Sequence, residues 1–103
     1  MKIHLKDLAE EFVESLGESL RSKILLKLEL YEEYGLRYMY QSGYLKKFSD
    51  GLYEIIVLRD YRFLGTMIHD NFFLVIGFRK KSQKTPRRMV QHAVRKIKEL
   101  TLH

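Results

Sequence analysis

Between Gly77 and Arg88 the chain reads GFRKKSQKTPRR, with Arg79, Lys80, Lys81, Lys84, Arg87 and Arg88 and no acidic residue. Upstream stand four further basic residues of interest, Lys46, Lys47, Arg59 and Arg62. Charge of one sign repels itself, so such a run tends to be kept where something negative comes to meet it. One chemistry needs little beyond this set. An RNA strand carries its own nucleophile, the 2′-hydroxyl, which attacks the adjacent phosphorus. The protein must orient the backbone, accept one proton, donate another and stabilise the charge of a crowded transition state. Arginine forks and lysine ammonium groups do the last of these. A lysine crowded by other cations gives up its proton more readily and can act as a base. DNA lacks the 2′-hydroxyl and would be inert to the same set.

Other chemistries lack their residues. The histidines, His4, His69, His92 and His103, have no ligand-like spacing. Gly77 lies between a strand and a helix but has no glycine partners for a phosphate loop. No serine sits in a nucleophile elbow. The strand region offers only Glu54, Asp60 and Asp70, too few carboxylates for metal-assisted hydrolysis. No metal or cofactor is expected. The bland reading of the basic run is a solvated loop that keeps the protein soluble. Charge alone leaves nucleic acid, an anionic membrane surface and an acidic protein open as partners.

The elements that would position these residues follow from length and periodicity. The chain has 103 residues, 46% hydrophobic and 31% charged, which suits one domain with a core of its own. The net charge of +6 is uneven. Residues 1–50 carry 8 basic and 9 acidic side chains, and residues 51–103 carry 11 and 4. There is no cysteine, no signal-peptide pattern and no apolar run near the ~20 residues of a membrane span. A cytoplasmic protein without membrane contact is expected.

Leu5, Leu8, Phe12 and Leu16 predict a first helix that stops at Gly17. Leu20, Ile24, Leu28 and Tyr31, widened by Leu25, predict a second that stops at Gly35. The short gap between them predicts an antiparallel helical hairpin. Then the period shifts toward strands in YEIIVLRD, YRFLGTMIHD and NFFLVIGF, broken by SDG, RDY and HDN. A weaker strand falls in YLKKF. The continuous apolar run at 72–76 predicts a central strand with helices on one face. Thr85 is predicted to cap the last helix and Pro86 to open it. Met89, Val90, Ala93, Val94, Ile97 and Leu100 form its apolar stripe. The expected class is α+β: a helical hairpin on an antiparallel sheet of three to four strands, plus a C-terminal helix, in one domain over 1–103.

LKKFSDGLYEIIV, YRFLG and GFRKKSQKTPRR together resemble the HigB-like, phage-derived branch of the RelE/ParE toxin superfamily. The likeness covers roughly residues 8–100, and GFRKKSQKTP is its specific part. It implies a RelE-like fold and the toxin of a type II toxin–antitoxin pair. It implies a metal-independent endoribonuclease that cuts mRNA in the ribosomal 30S A site and so inhibits translation. The implied partners are that mRNA and a helix-turn-helix antitoxin encoded by an adjacent gene. Carried over by motif, Arg62 and Arg79 would hold the phosphate and the transition-state charge, close together on one face of the sheet. Lys81 or Lys84 would be the base. Lys46, Lys47, Arg59, Lys80, Arg87 and Arg88 would be RNA contacts. Ile56 stands where many relatives are basic, Ile76 where many have histidine, and no tyrosine follows residue 79. A ParE-type topoisomerase poison and a non-catalytic RNA-binding remnant share the fold and remain open.

Overall fold

The computed structural model describes residues 1–102, so His103 lies outside it. The elements run β1 (Lys2–Leu5), α1 (Asp7–Glu14), α2 (Glu18–Tyr34), α3 (Leu36–Gln41), β2 (Leu45–Ser49), β3 (Leu52–Val57), β4 (Tyr61–Ile68), β5 (Asn71–Arg79) and α4 (Arg87–Thr101). The strands form one sheet in the order β1-β5-β4-β3-β2. The architecture is α+β, as expected, with five strands where three or four were expected.

The extra strand is β1. Its four residues pair parallel to β5, from Lys2 opposite Asn71 to Leu5 opposite Leu74. The sheet is therefore mixed, not purely antiparallel. Leu5 belongs to this strand, and α1 starts only at Asp7. β2 to β5 form the expected antiparallel meander. Its turns place Gly51, Leu58, Arg59 and His69 at positive φ.

Both faces of the sheet are covered. On one, Ile55, Val57, Phe63, Phe72 and Leu74 pack with Ala9 and Val13 of α1, Ile24, Leu28 and Tyr31 of α2, and Met39 of α3. On the other, Leu52, Leu64, Val75, Ile76 and Phe78 pack with Ala93 of α4, joined by Met89, Val90 and Ile97. β5 therefore has helices on both sides, not one. Each large side chain fully buried here, such as Phe63 or Phe72, contributes roughly 1.5–3 kcal/mol. Val94, expected in the apolar stripe of α4, is 38% exposed.

Instead of packing as an isolated hairpin, α1 lies along β5 while α2 reaches β1 and β3. The Tyr31 hydroxyl of α2 donates to the Ile56 carbonyl at 2.7 Å, and the Ile3 N–H donates to the Glu32 carboxylate at 2.6 Å. Burial, with the charges of Tyr44 and Tyr38 adding to it, pushes the Tyr31 phenol well above its ordinary range. Two glycines permit the close packing. A Cβ on Gly77 would stand 2.7 Å from the rings of Phe12 and Phe63, and one on Gly65 would overlap the Phe73 carbonyl oxygen.

Candidate nucleic-acid interface

Where β5 ends, the chain leaves the sheet with its basic run and returns as α4. The Lys80 N–H donates to the Asp60 carbonyl at 2.7 Å, extending the ladder by one step. The Ser82 hydroxyl then donates to the Lys84 carbonyl at 3.0 Å. Thr85 does not cap α4 as expected. Pro86 occupies the cap, with φ −58° and ψ 133° and no side-chain capping bond. The Thr85 hydroxyl instead donates to Glu54 Oε1 on β3 at 2.7 Å. Glu54 is only 1% exposed, so this bond satisfies a buried carboxylate and ties the basic loop down onto the sheet.

Two adjoining depressions result. One, of about 650 Å³, is lined by Arg59, Asp60, Arg62, Lys80, Lys81 and Gln83. The other, of about 360 Å³, is lined by Lys46, Phe48, Glu54, Lys84 and Thr85, and shares Lys80 and Gln83 with the first. Together they make one basic groove. Among the described residues, no group of three or more histidine, cysteine, aspartate or glutamate side chains is placed to hold a metal ion. None of the described helices is long and apolar enough to cross a membrane.

The ladder decides which predicted residues meet. Directly paired residues of an antiparallel ladder share a face, and neighbours along a strand alternate. Arg62 pairs with Phe78, on the α4 face, whereas Arg79 pairs with Tyr61, on the α1 face. The two arginines are thus close along the chain ends but point to opposite sides. This corrects the expectation that they share a face. Arg79 is mostly exposed and stands 4.0 Å from the Asp60 carboxylate. Lys46 pairs with Glu54 and so faces the groove. Lys47 pairs with Tyr53, points to the other face and meets Asp50 at 3.2 Å. Arg87 and Arg88 are exposed at the start of α4 and line neither depression. The groove therefore gathers Lys46, Arg59, Arg62, Lys80, Lys81 and Lys84.

Arg62 is not free in its depression. Its Nη1 donates to the carbonyls of Arg59 and Tyr61, and its Nε is buried with no partner. The β3–β4 turn that supplies those carbonyls holds Leu58 and Arg59 at φ 47° and 70°. Such angles are uncommon outside glycine, and the guanidinium braces the turn from inside. Ile56 is the cross-strand neighbour of Arg62, so the apolar substitution falls beside the central arginine. Ile76 is buried in the core under α4.

Phe48, Glu54, Asp60, Ser82, Gln83 and Thr85 line the groove without having been expected there. Glu54 had a signal: an acid between Leu52 and Ile56, on the same face of an apolar strand, needs a buried partner. Phe48 had none, because its position depends on a break in strand register.

Residues 11–98 match a family model described as phage derived protein Gp49-like (DUF891). Among curated proteins none matches at a significant level.

Proposed function

We propose, from the premise that the chain belongs to the Gp49-like family of phage-derived proteins, part of the RelE/HigB-like toxin group, that it is the toxin of a type II toxin–antitoxin pair of the HigB-like branch. On this reading it is a single RelE-like domain over residues 1–103 that works in the cytoplasm. It cuts mRNA in the ribosomal A site, without metal, and stops translation. The observation that carries the reading is the gathering of Arg59, Arg62, Lys46, Lys80, Lys81 and Lys84 around one groove on a packed sheet. Arginine forks and ammonium groups held in place stabilise developing phosphate charge better than mobile ones.

Arg62 grips the phosphate with the edge of the guanidinium that faces away from the turn. Lys80 shares the charge from the junction of the two depressions. Lys81 or Lys84 takes the 2′-hydroxyl proton. Arg79 contributes from the rim, and Lys47, Arg87 and Arg88 make outer contacts with the ribosomal complex. A helix-turn-helix antitoxin encoded next door covers the groove or occupies it with acidic residues, which speeds its association with a +6 protein.

One specific observation favours a second reading, RNA binding without cleavage. Ile56 sits beside Arg62, and Arg62 is already engaged by the turn. Expression of the chain alone separates the readings. Growth arrest with new mRNA 5′ ends in primer extension supports the nuclease. Arrest with intact mRNA supports binding alone. Intact mRNA with collapsed DNA supercoiling would point to a topoisomerase poison.

A further inference from the structure

Phe48 stands in the groove with no core to enter. It is 44% exposed and lines the smaller depression with Lys46, Lys84 and Glu54. Its position has a cause in the ladder. The pairing of β2 with β3 runs from Lys47 opposite Tyr53 directly to Ser49 opposite Leu52. Phe48 is therefore the extra residue of a bulge, the device that re-aims a side chain at a sheet edge. A lone exposed phenylalanine would be ordinary. This one shares its depression with three lysines and a buried carboxylate.

That combination selects its ligand by chemistry. The smaller depression sets three lysines against Glu54 and the larger one four cations, Arg59, Arg62, Lys80 and Lys81, against Asp60, so the larger is the better seat for the backbone of an anionic strand. An aromatic face accepts a flat ring of any kind, and the ammonium groups of the same depression take the charge beside that ring. At about 360 Å³ the smaller depression falls within the ~300–1,000 Å³ of small-ligand clefts. Bases of single strands stack on aromatic side chains in this way.

We propose that Phe48 is the stacking platform for one unpaired base of the bound RNA strand, next to the phosphate held at Arg62. The proposal rests on the RNA reading of the groove and adds a positioning residue to it. Stacking fixes the rotation of one nucleotide and with it the line from 2′-hydroxyl to phosphorus.

The chain has no tryptophan, so Phe48→Trp introduces a single indole emitter at the site. Two polyanions are titrated against it: a short unstructured oligoribonucleotide, and inorganic polyphosphate, which has the charge without the bases. The expected result is quenching of indole fluorescence by the oligoribonucleotide and none by polyphosphate, while both bind. Phe48→Ala and Phe48→Leu should each weaken oligoribonucleotide binding about tenfold, the scale of one base stacked on an aromatic ring. Both should leave polyphosphate binding unchanged. Phe48→Trp should keep parental affinity. Phe48→Leu separates a requirement for a π-face from one for mere apolar bulk. Oligoribonucleotide binding without quenching, or Phe48→Leu binding as well as the parent, would overturn the stacking role and leave the basic groove standing. Failure of the parent to bind either polyanion would overturn the RNA reading itself.

Discussion

Thr85→Val removes one hydroxyl and little volume, and it should cost far more than a loop substitution normally does. The bond from Thr85 to Glu54 is 2.7 Å long and its acceptor is 1% exposed. Hydrogen bonds to carboxylates contribute about 1.5–3 kcal/mol. Unfolding entropy near ~2.1 cal/mol/K per residue gives about 0.22 kcal/mol/K for 103 residues. The melting temperature should therefore fall by roughly 7–14 °C, by calorimetry at neutral pH. Thr85→Ser keeps the hydroxyl and should stay within about 0.5 kcal/mol of the parent. Glu54→Gln tests the same bond from the other side. Its amide carbonyl still accepts from Thr85, and in a Thr85→Val background the uncharged amide should be better tolerated than the bare carboxylate. The double-mutant cycle should then show a coupling of about 1–2 kcal/mol. A Thr85→Val protein that melts within about 2 °C of the parent, with no coupling to Glu54, would refute the claim that this bond anchors the basic loop.

Arg62→Ala should stay folded by circular dichroism and lose about a hundredfold or more in cleavage on programmed ribosomes, the scale of one lost donor to transition-state charge. Arg79→Ala, on the opposite face, should lose much less, and Arg95→Ala, exposed on α4, should leave the chemical step unchanged. Tyr31→Phe removes the bond to the Ile56 carbonyl and should cost about 1 kcal/mol in urea unfolding at pH 7. Because burial raises the Tyr31 pKa, the folded state holds this proton after the unfolded chain releases it near pH ~10. The contribution is complete below that pH and declines above it, so parental stability should fall more steeply past pH ~10 than that of Tyr31→Phe. Gly65→Ala should prevent folding or leave the protein in inclusion bodies, because the new Cβ collides with backbone at Phe73 and Leu74, which cannot rotate away.

Local pattern revealed what local pattern determines. Ile24, Leu28 and Tyr31 are buried where the second helical stripe put them, and the three long strands lie between the expected turns. The basic groove was legible as a run of charge. The remainder depends on distant partners. β1 is four residues that become a strand only by pairing with Asn71 to Leu74. α3 spans six residues, too few for a stripe to repeat, and its tyrosines resemble strand composition. Thr85 satisfies the local rule for a helix cap, but a buried carboxylate 31 positions earlier took its hydroxyl. The chain order correctly put Arg62 and Arg79 near each other. It could not supply the register, and one residue of register decides which face a side chain occupies.

β5 pairs with β1 on one side and β4 on the other, and it fills both cores: Phe72 and Leu74 enter one, Val75, Ile76 and Phe78 the other. A chain emerging from the ribosome presents its N-terminal residues first. Everything before Asn71 can be made and still neither hydrophobic layer can close. Such a nascent chain has an open β4 edge and an uncovered face, and a prematurely terminated one would aggregate instead of acting. The basic loop emerges directly behind β5 and needs Glu54 on an already paired strand to hold it. A groove built in this order has no half-finished form: it is complete only once β5 and the loop behind it have been made. For a protein read as a toxin, that gives an antitoxin a brief, well-defined moment at which it must be waiting.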